Sequence, residues 1–491
     1  MEDLRDYPGY FNSDNEKLNR VWYAGAYTNQ LCSADPIYGN ALGVPGTDWY
    51  FNATIANGTS VLMDGAKRDR LVWPGDIAIS GPAIFVSTNS LDGIKNGIDS
   101  LFVLQQPDGR LPWAGTPFTR PDQFSFSFTY HLYTLLDLFD YFLYTGDIEY
   151  LKNYWSQYKL AMNWSLSTID ASGMANVTSS NDWLRSGMGG HNVEANSIFY
   201  RTLDTGLKLA AEVGDDSVVD TWASAMTKIK ESVNSRLWDP VQNLFFDNDE
   251  NQTADALRPQ DGNAWAVVSG LVSGDRAAAI STSLASRWVR PYGAPAPEAG
   301  ATISPFASGF EVQAHYMAGF PARAVELVEF MWGGFMLDDA RMTGSSFVEG
   351  YATDGALHYA PYDNDARLSH AHGWSTGPTS ALTFLGAGVQ LAGARGRAWC
   401  VRPRPGSLGR VEAGFETALG RFAAEWVAAD GYVVSGRFET PAGTLGTLVL
   451  YTNVSDVAVT GPRGLVQPSG TDNGSVVFEN LPGGTYVVGS G

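Results

Sequence analysis

Helix, short glycine-centred turn, helix: this unit recurs along the chain at roughly 40 to 50 residues and constrains the architecture more than any other feature. In "FSFSFTYHLYTLLDLFDYFLYTGDIEYLKNYWSQYKLAMNWSL" apolar residues return at helical spacing on both sides of Gly146-Asp147. Asp147 suits the cap of the second helix. The pattern repeats around Gly214, around Gly274-Asp275 and around Gly319-Phe320-Pro321. An earlier helix is expected in "SDNEKLNRVWYAGAYTNQLC", with Ser13 as its cap. No such pair buries its apolar stripe alone, so neighbours must stack. Trp, Tyr and Phe on both sides of the helices suit two concentric layers. A double-walled α-barrel over residues 1–397 meets these demands; an open helical solenoid is the alternative. The linking loops are long, unequal and loaded with Asp, Trp and Gly, which favours a closed barrel with function at one end.

The period changes after residue 397. "FAAEWVAADGYVVSGRFETPAGTLGTLVLYTN" and "GSVVFENLPGGTYVVGSG" alternate apolar and polar residues between turn residues. Residues 398–491 therefore read as a small antiparallel β-sandwich, with "VRPRPGSLG" as linker.

Composition narrows the partners. A net charge of −20 and no basic cluster exclude the cationic face that nucleic acid requires. An acidic polymer would be repelled too, so a neutral substrate fits best. No apolar run is long enough to cross a membrane. Sequons stand at Asn52, Asn57, Asn163, Asn176, Asn251, Asn453 and Asn473, against about three expected by chance. They point to a secreted protein. The first residues lack a signal peptide, so a chain truncated at its N-terminus is expected. Cys32 and Cys400 could pair or stay free; sequence leaves both open.

Three loops carry the chemistry. "DGAKRDRLVWPGD", residues 64–76, sets Asp64, Asp69 and Asp76 around Arg68 and Trp73, and its Gly65 and Pro74-Gly75 read as loop. Carboxylates accept hydrogen bonds from vicinal hydroxyls, and an indole face covers the C–H side of a pyranose. A solvated turn with internal Asp–Arg pairs is the plainer reading. "SSNDWLRSGMGGHNVEAN" repeats the theme with Asp182, Trp183 and Glu194. His191 and Glu194 stand at i, i+3 without further ligands, so no metal and no cofactor is expected. In "SSFVEGYATDGALHYAPYDNDARLSHAHGWSTGPT" Glu349 follows an apolar step that favours a raised pKa. His370, His372 and Trp374 follow at alternating positions. Paired carboxylates are the machinery of glycoside hydrolysis.

The first loop resembles the Asp…Arg-Asp-Glu-Arg…Trp-x-Gly-Asp signature of glycoside hydrolase family 78, the α-L-rhamnosidases. "FVEGY…SHAHGW", "DYFLYTGDIEYLKNYW" and "NDWLRSG" are similar to further family stretches, most of all in its fungal branch. The resemblance covers most of residues 5–480. It implies an (α/α)6 barrel and an exo-acting, inverting hydrolase that removes terminal α-L-rhamnose from flavonoid glycosides or pectic side chains. It makes Asp69 the general acid and Glu349 the general base. Asp64, Arg68 and Asp76 become holders of the sugar hydroxyls, with Trp183, His372 and Trp374 as pocket wall. The two catalytic carboxyls are expected about 6.5 to 9.5 Å apart with a water between them. The family often has Glu where Asp69 stands and Asn where Ala371 stands. Arg68 and Arg70 favour the ionised form of Asp69, so burial or neighbouring acids must compensate. The β modules that usually precede the barrel are missing, in keeping with truncation. A lyase or hydrolase acting on uronic acids, or a non-catalytic sugar-binding paralogue, are the alternatives.

Overall fold

A computed structural model describes residues 7–40, 52–118, 124–185, 187–360, 362, 364–453, 457–472 and 474–490. Twelve α-helices occur among them: α1 (Glu16–Leu31), α2 (Pro74–Val86), α3 (Asp92–Val103), α4 (Phe128–Thr145), α5 (Ile148–Ser167), α6 (Val193–Val213), α7 (Val219–Arg236), α8 (Gln260–Val268), α9 (Gly274–Ala285), α10 (Pro305–Met317), α11 (Pro321–Leu327) and α12 (Gly377–Ala381). The even-numbered helices form a closed ring, α2–α4–α6–α8–α10–α12 and back to α2. The odd-numbered helices pack outside it. The architecture is therefore an (α/α)6 barrel, and the open solenoid is excluded.

Local chemistry sets the hairpins. Gly146 and Gly214 end α4 and α6 at φ +62° and +72°, where a side chain would clash with its own backbone. Asp147 caps α5 by accepting from the Tyr150 amide at 3.0 Å. The first helix departs from expectation. Its cap is Asn15, which accepts from Lys17 and Leu18, while Ser13 ends a strand, Tyr10–Ser13. Pro74-Gly75 likewise starts α2; proline at the first helical position loses no hydrogen bond that a helix would make. The glycine that follows admits Tyr130, whose ring would lie 2.6 Å from a Cβ at position 75.

The β-sandwich holds a seven-stranded and a five-stranded sheet. Trp399 of one meets Phe438 of the other, and Phe438 stacks on Tyr486 within its own sheet. Strand Tyr10–Ser13 pairs with Val411–Gly414, and Val389–Leu391 joins the smaller sheet. The sandwich thus draws strands from either side of the barrel sequence. It is not wholly antiparallel: Leu445–Leu448 runs parallel to Ala398–Val401. Cys32 and Cys400 are both free.

Candidate active site

The acids collect where the inner helices begin. A helix N-terminus exposes unpaired N–H groups and favours negative charge. Asp76 lies in the first turn of α2, Glu194 in that of α6 and Asp261 in that of α8. Two clusters result, with Tyr130 of α4 between them: its hydroxyl feels Asp76 on one side and Asp182 and Glu194 on the other.

The first cluster joins the loop at 64–73 to the loop at 347–374. Gly65 and His372 form a bridge, and the Gly373 amide donates to the Asp64 carbonyl at 2.7 Å. Asp64 folds its own loop, accepting from the Asp69 amide at 2.5 Å and the Leu71 amide at 3.1 Å. Arg68 pairs with Asp69 and lies 3.9 Å from Glu349. Asp69 and Glu349, 280 positions apart in sequence, thus share one guanidinium, which stands where a water was expected. Asp69 keeps 14% of its side chain exposed and Glu349 only 1%. Glu349 accepts from the Tyr362 hydroxyl and, at 3.0 Å, from the Ser369 amide. His372 Nε2 lies 3.1 Å from Asp76 and Nδ1 3.9 Å from Glu349.

Burial raises the pKa of these acids. Asp64 is pushed up to about 6 although His372 and Arg68 pull it down. Burial lifts Asp76 well above the usual carboxylate range. It raises Glu349 as well, against His372, Arg68 and the Tyr362 hydroxyl. Burial lowers His372, so its ring favours the neutral form.

Four buried groups here make no hydrogen bond within the chain, Arg68 Nη1, Trp73 Nε1, Trp113 Nε1 and His372 Nδ1, while Asp69 Oδ1 meets Arg68 and Asp76 Oδ1 meets His372 Nε2. Two of them belong to the partly exposed edge-to-face pair Trp73–Trp113, 5.3 Å between ring centroids. Such a set is costly unless a polar ligand meets it.

The second cluster is buried, with Asp247 keeping 10% of its side chain exposed. Arg185 faces Asp182, Glu194, Asp247, Asp261 and Glu298. Its guanidinium lies 2.6 Å from Asp247, 3.2 Å from Asp261 and 3.7 Å from Glu194. Asp182 accepts from the Thr129 hydroxyl at 2.5 Å. Burial pushes Asp182 up to about 6 and Glu298 up to about 8, and it lifts Glu194 well above its ordinary value. Oxygens of Asp182, Glu194 and Asp261 lie within 4.8 Å of one another, as cation ligands would. Arg185 already supplies positive charge against two of them.

Several predicted residues hold other stations. Trp183 and Trp374 are buried and spend their N–H groups on Asp261 at 3.0 Å and on the Glu349 carbonyl at 2.8 Å. They brace acids and line no open wall. His191 sits between Asp170 and Asp249, away from Glu194. Tyr362, Trp113, Arg185, Asp247, Asp261 and Glu298 were missed. The Pro-Trp-Ala-Gly step at 112–115 is an acid-free copy of the aromatic loop signal and was the one available clue to Trp113.

Six helix hairpins closed into a ring, with carboxylates gathered at the inner N-termini, define the fold of a six-hairpin glycosidase. Residues 48–291 match the family model described as the bacterial alpha-L-rhamnosidase six-hairpin glycosidase domain. Nearly half of the chain is therefore similar to the six-hairpin domain of α-L-rhamnosidases. Solved structures agree in fold. The family 78 rhamnosidase of Bacillus sp. GL1 superposes with a TM-score of 0.70 at 20% identity, over 90% of this chain and 42% of that one. The α-L-rhamnosidase of Dictyoglomus thermophilum gives 0.71 at 15% identity, over 98% and 50%. That of Streptomyces avermitilis, complexed with L-rhamnose, gives 0.68 at 15%, over 98% and 42%. The chain thus spans half or less of the length of these relatives. No curated protein matches its sequence.

Proposed function

We propose that the chain is an exo-acting, inverting α-L-rhamnosidase, with Asp69 as general acid and Glu349 as general base. The observation that carries this reading is the meeting of Asp69 and Glu349 at Arg68, with buried groups of Arg68, Trp73, Trp113 and His372 left without a hydrogen bond. A neutral polyol answers such a set, and the net charge of −20 admits one. Asp64, Arg68, Asp76 and His372 would hold the sugar hydroxyls. L-Rhamnose in the Streptomyces avermitilis relative supports the choice of sugar.

The chemistry follows from the two carboxyls on one guanidinium. An inverting pair needs about 6.5–9.5 Å between its carboxyls, a gap that the Arg68 guanidinium between Asp69 and Glu349 can hold open. Rhamnose hydroxyls replace the contacts of Arg68, and a water takes its place beside Glu349. Asp69 gives its proton to the glycosidic oxygen as the C1–O bond breaks. Glu349 takes a proton from the water that attacks the opposite face, and β-L-rhamnose is released first. Tyr362 and Ser369 hold Glu349 in place for that step. Flavonoid glycosides and pectic side chains are the substrates proposed. Secretion fits as well: all six sequon asparagines among the described residues are exposed, while Asn473 lies outside them.

Release of p-nitrophenol from its α-L-rhamnoside tests the activity, and proton NMR of the sugar first formed tests the stereochemistry. The β anomer is expected. No release from folded protein, a uronate product absorbing near 235 nm, or the α anomer first would each overturn the reading.

A further inference from the structure

The linker "VRPRPGSLG" plays no part in that chemistry, yet it crosses the far end of the barrel in a regular pattern. Val401, Pro403 and Pro405 are buried, whereas Cys400, Arg402 and Arg404 are half-buried. Alternation in an extended chain places the second three on one side. That side borders a cavity of about 550 Å³. The cavity lies toward the C-terminal ends of the inner helices, reaching Tyr144 of α4 and Met317 of α10. Tyr130 and Tyr144 are roughly 20 Å apart along α4, so the end of this space at Tyr144 is far from the acid clusters, while Ala78 and Trp265 of its lining follow Asp76 and Asp261 by two and four residues.

Its walls are apolar and largely aromatic: Leu136, Phe139, Trp265, Phe310 and Phe384. Its charged lining is three guanidiniums, Arg201, Arg402 and Arg404, against one carboxylate, Asp140, among the described residues. Part of that charge is answered locally. Arg404 donates to the Tyr316 carbonyl in the last turn of α10, and Arg201 pairs with Asp204 at 3.2 Å. Burial pushes Asp140 up to about 7, which weakens the one opposing charge. The Tyr316 hydroxyl, also buried in this wall, has no hydrogen-bond partner. A positive, aromatic-walled space inside a chain of net charge −20 serves no neutral sugar. The volume falls in the range of small-molecule sites, about 300–1,000 Å³.

We propose that this cavity binds a small organic anion with a flat apolar body and one acidic group, an aromatic carboxylate or sulfonate. The body lies among Phe139, Trp265, Phe310 and Phe384, and the acidic group faces Arg402 and Arg201. Cys400 on the same wall reports occupancy, because Cys32, the other thiol, is enclosed in the core.

The test uses the whole chain with saturating rhamnose and 8-anilinonaphthalene-1-sulfonate as probe. One saturable site per chain is expected, with enhanced dye fluorescence and at least fivefold slower alkylation of Cys400 by N-ethylmaleimide, read by peptide mass. Arg402→Gln should weaken binding at least fivefold, and Ala381→Phe, which fills the wall, should abolish it. Both should keep the native melting temperature and aryl-rhamnoside hydrolysis; if Ala381→Phe fails to fold, Arg402→Gln still decides. Unsaturable binding, equal affinity in Arg402→Gln, or an unprotected Cys400 would overturn the proposal. So would displacement of the dye by inorganic sulfate at equal concentration, since that would mark a plain anion site.

Discussion

The two acid clusters use the same residue types to opposite ends. The first hangs on loops, keeps Asp69 partly exposed and leaves groups of Arg68, Trp73, Trp113 and His372 without a hydrogen bond. The second rests on the N-termini of α6 and α8, keeps only Asp247 slightly exposed, at 10%, and wraps its carboxylates around Arg185, although Asp182 Oδ2 and both Glu194 oxygens also make no hydrogen bond. Free polar atoms at a rim are available for a ligand; enclosed ones compensated by a guanidinium hold a framework. The difference teaches that acid-plus-indole loops in a sequence do not all mark the sugar. Asp64–Asp76 sets out a binding edge, whereas Asp182-Trp183 ties the wall to α8.

The sharpest way to break this contrast is to neutralise one charge in each cluster. Glu349→Gln should lower kcat about 10³-fold on an aryl α-L-rhamnoside, with melting nearly unchanged. Arg185→Met should do the reverse. It strands buried carboxylates and should cost about 3–5 kcal/mol in denaturant unfolding, while kcat of the folded fraction stays within tenfold. If Arg185→Met abolished turnover without loss of stability, the division of labour would be wrong.

Acidity gives a broader test. Asp64 and Asp182 are raised to about 6, Asp140 to about 7 and Glu298 to about 8. A carboxyl whose folded pKa exceeds its unfolded one binds more protons when folded. Its stabilising share is full below the unfolded value near 4 and is lost as pH rises through the folded value. Melting temperature should therefore climb by several degrees as pH falls from 8 to 5. Glu349 is raised too and must be ionised to act as base. The acidic limb of kcat/KM should then lie above the ordinary glutamate value. The smallest effect belongs to the rim: Trp73→Phe or Trp113→Phe removes one unanswered N–H and should raise KM about fivefold, near 1 kcal/mol, with kcat held.

Legibility followed sequence distance. The hairpins were readable because their signals are local: a periodic stripe, a left-handed glycine at 146 or 214, a carboxylate at 147. So was the first acid loop, whose Asp64 organises its own segment. Contacts across hundreds of residues were not. Strand Tyr10–Ser13 pairs some 400 positions away, and that pairing turned an expected cap into a strand end. Pro74-Gly75 looks alike at a loop and at a helix start, and only the packing of α2 on α4 decides. Arg185, Asp247 and Asp261 carry no local mark, since their closest mutual contacts span 62 and 76 positions. Trp183 and Trp374 were recognised as important, but the direction of an indole N–H is a tertiary fact.

Azide rescue of Glu349→Ala tests the central claim most directly. With the base removed, an aryl α-L-rhamnoside should turn over slowly in buffer and recover severalfold or more when sodium azide enters the place of the water. The account predicts β-L-rhamnosyl azide as the product. Absence of rescue in folded protein, or formation of the α-azide, would contradict it.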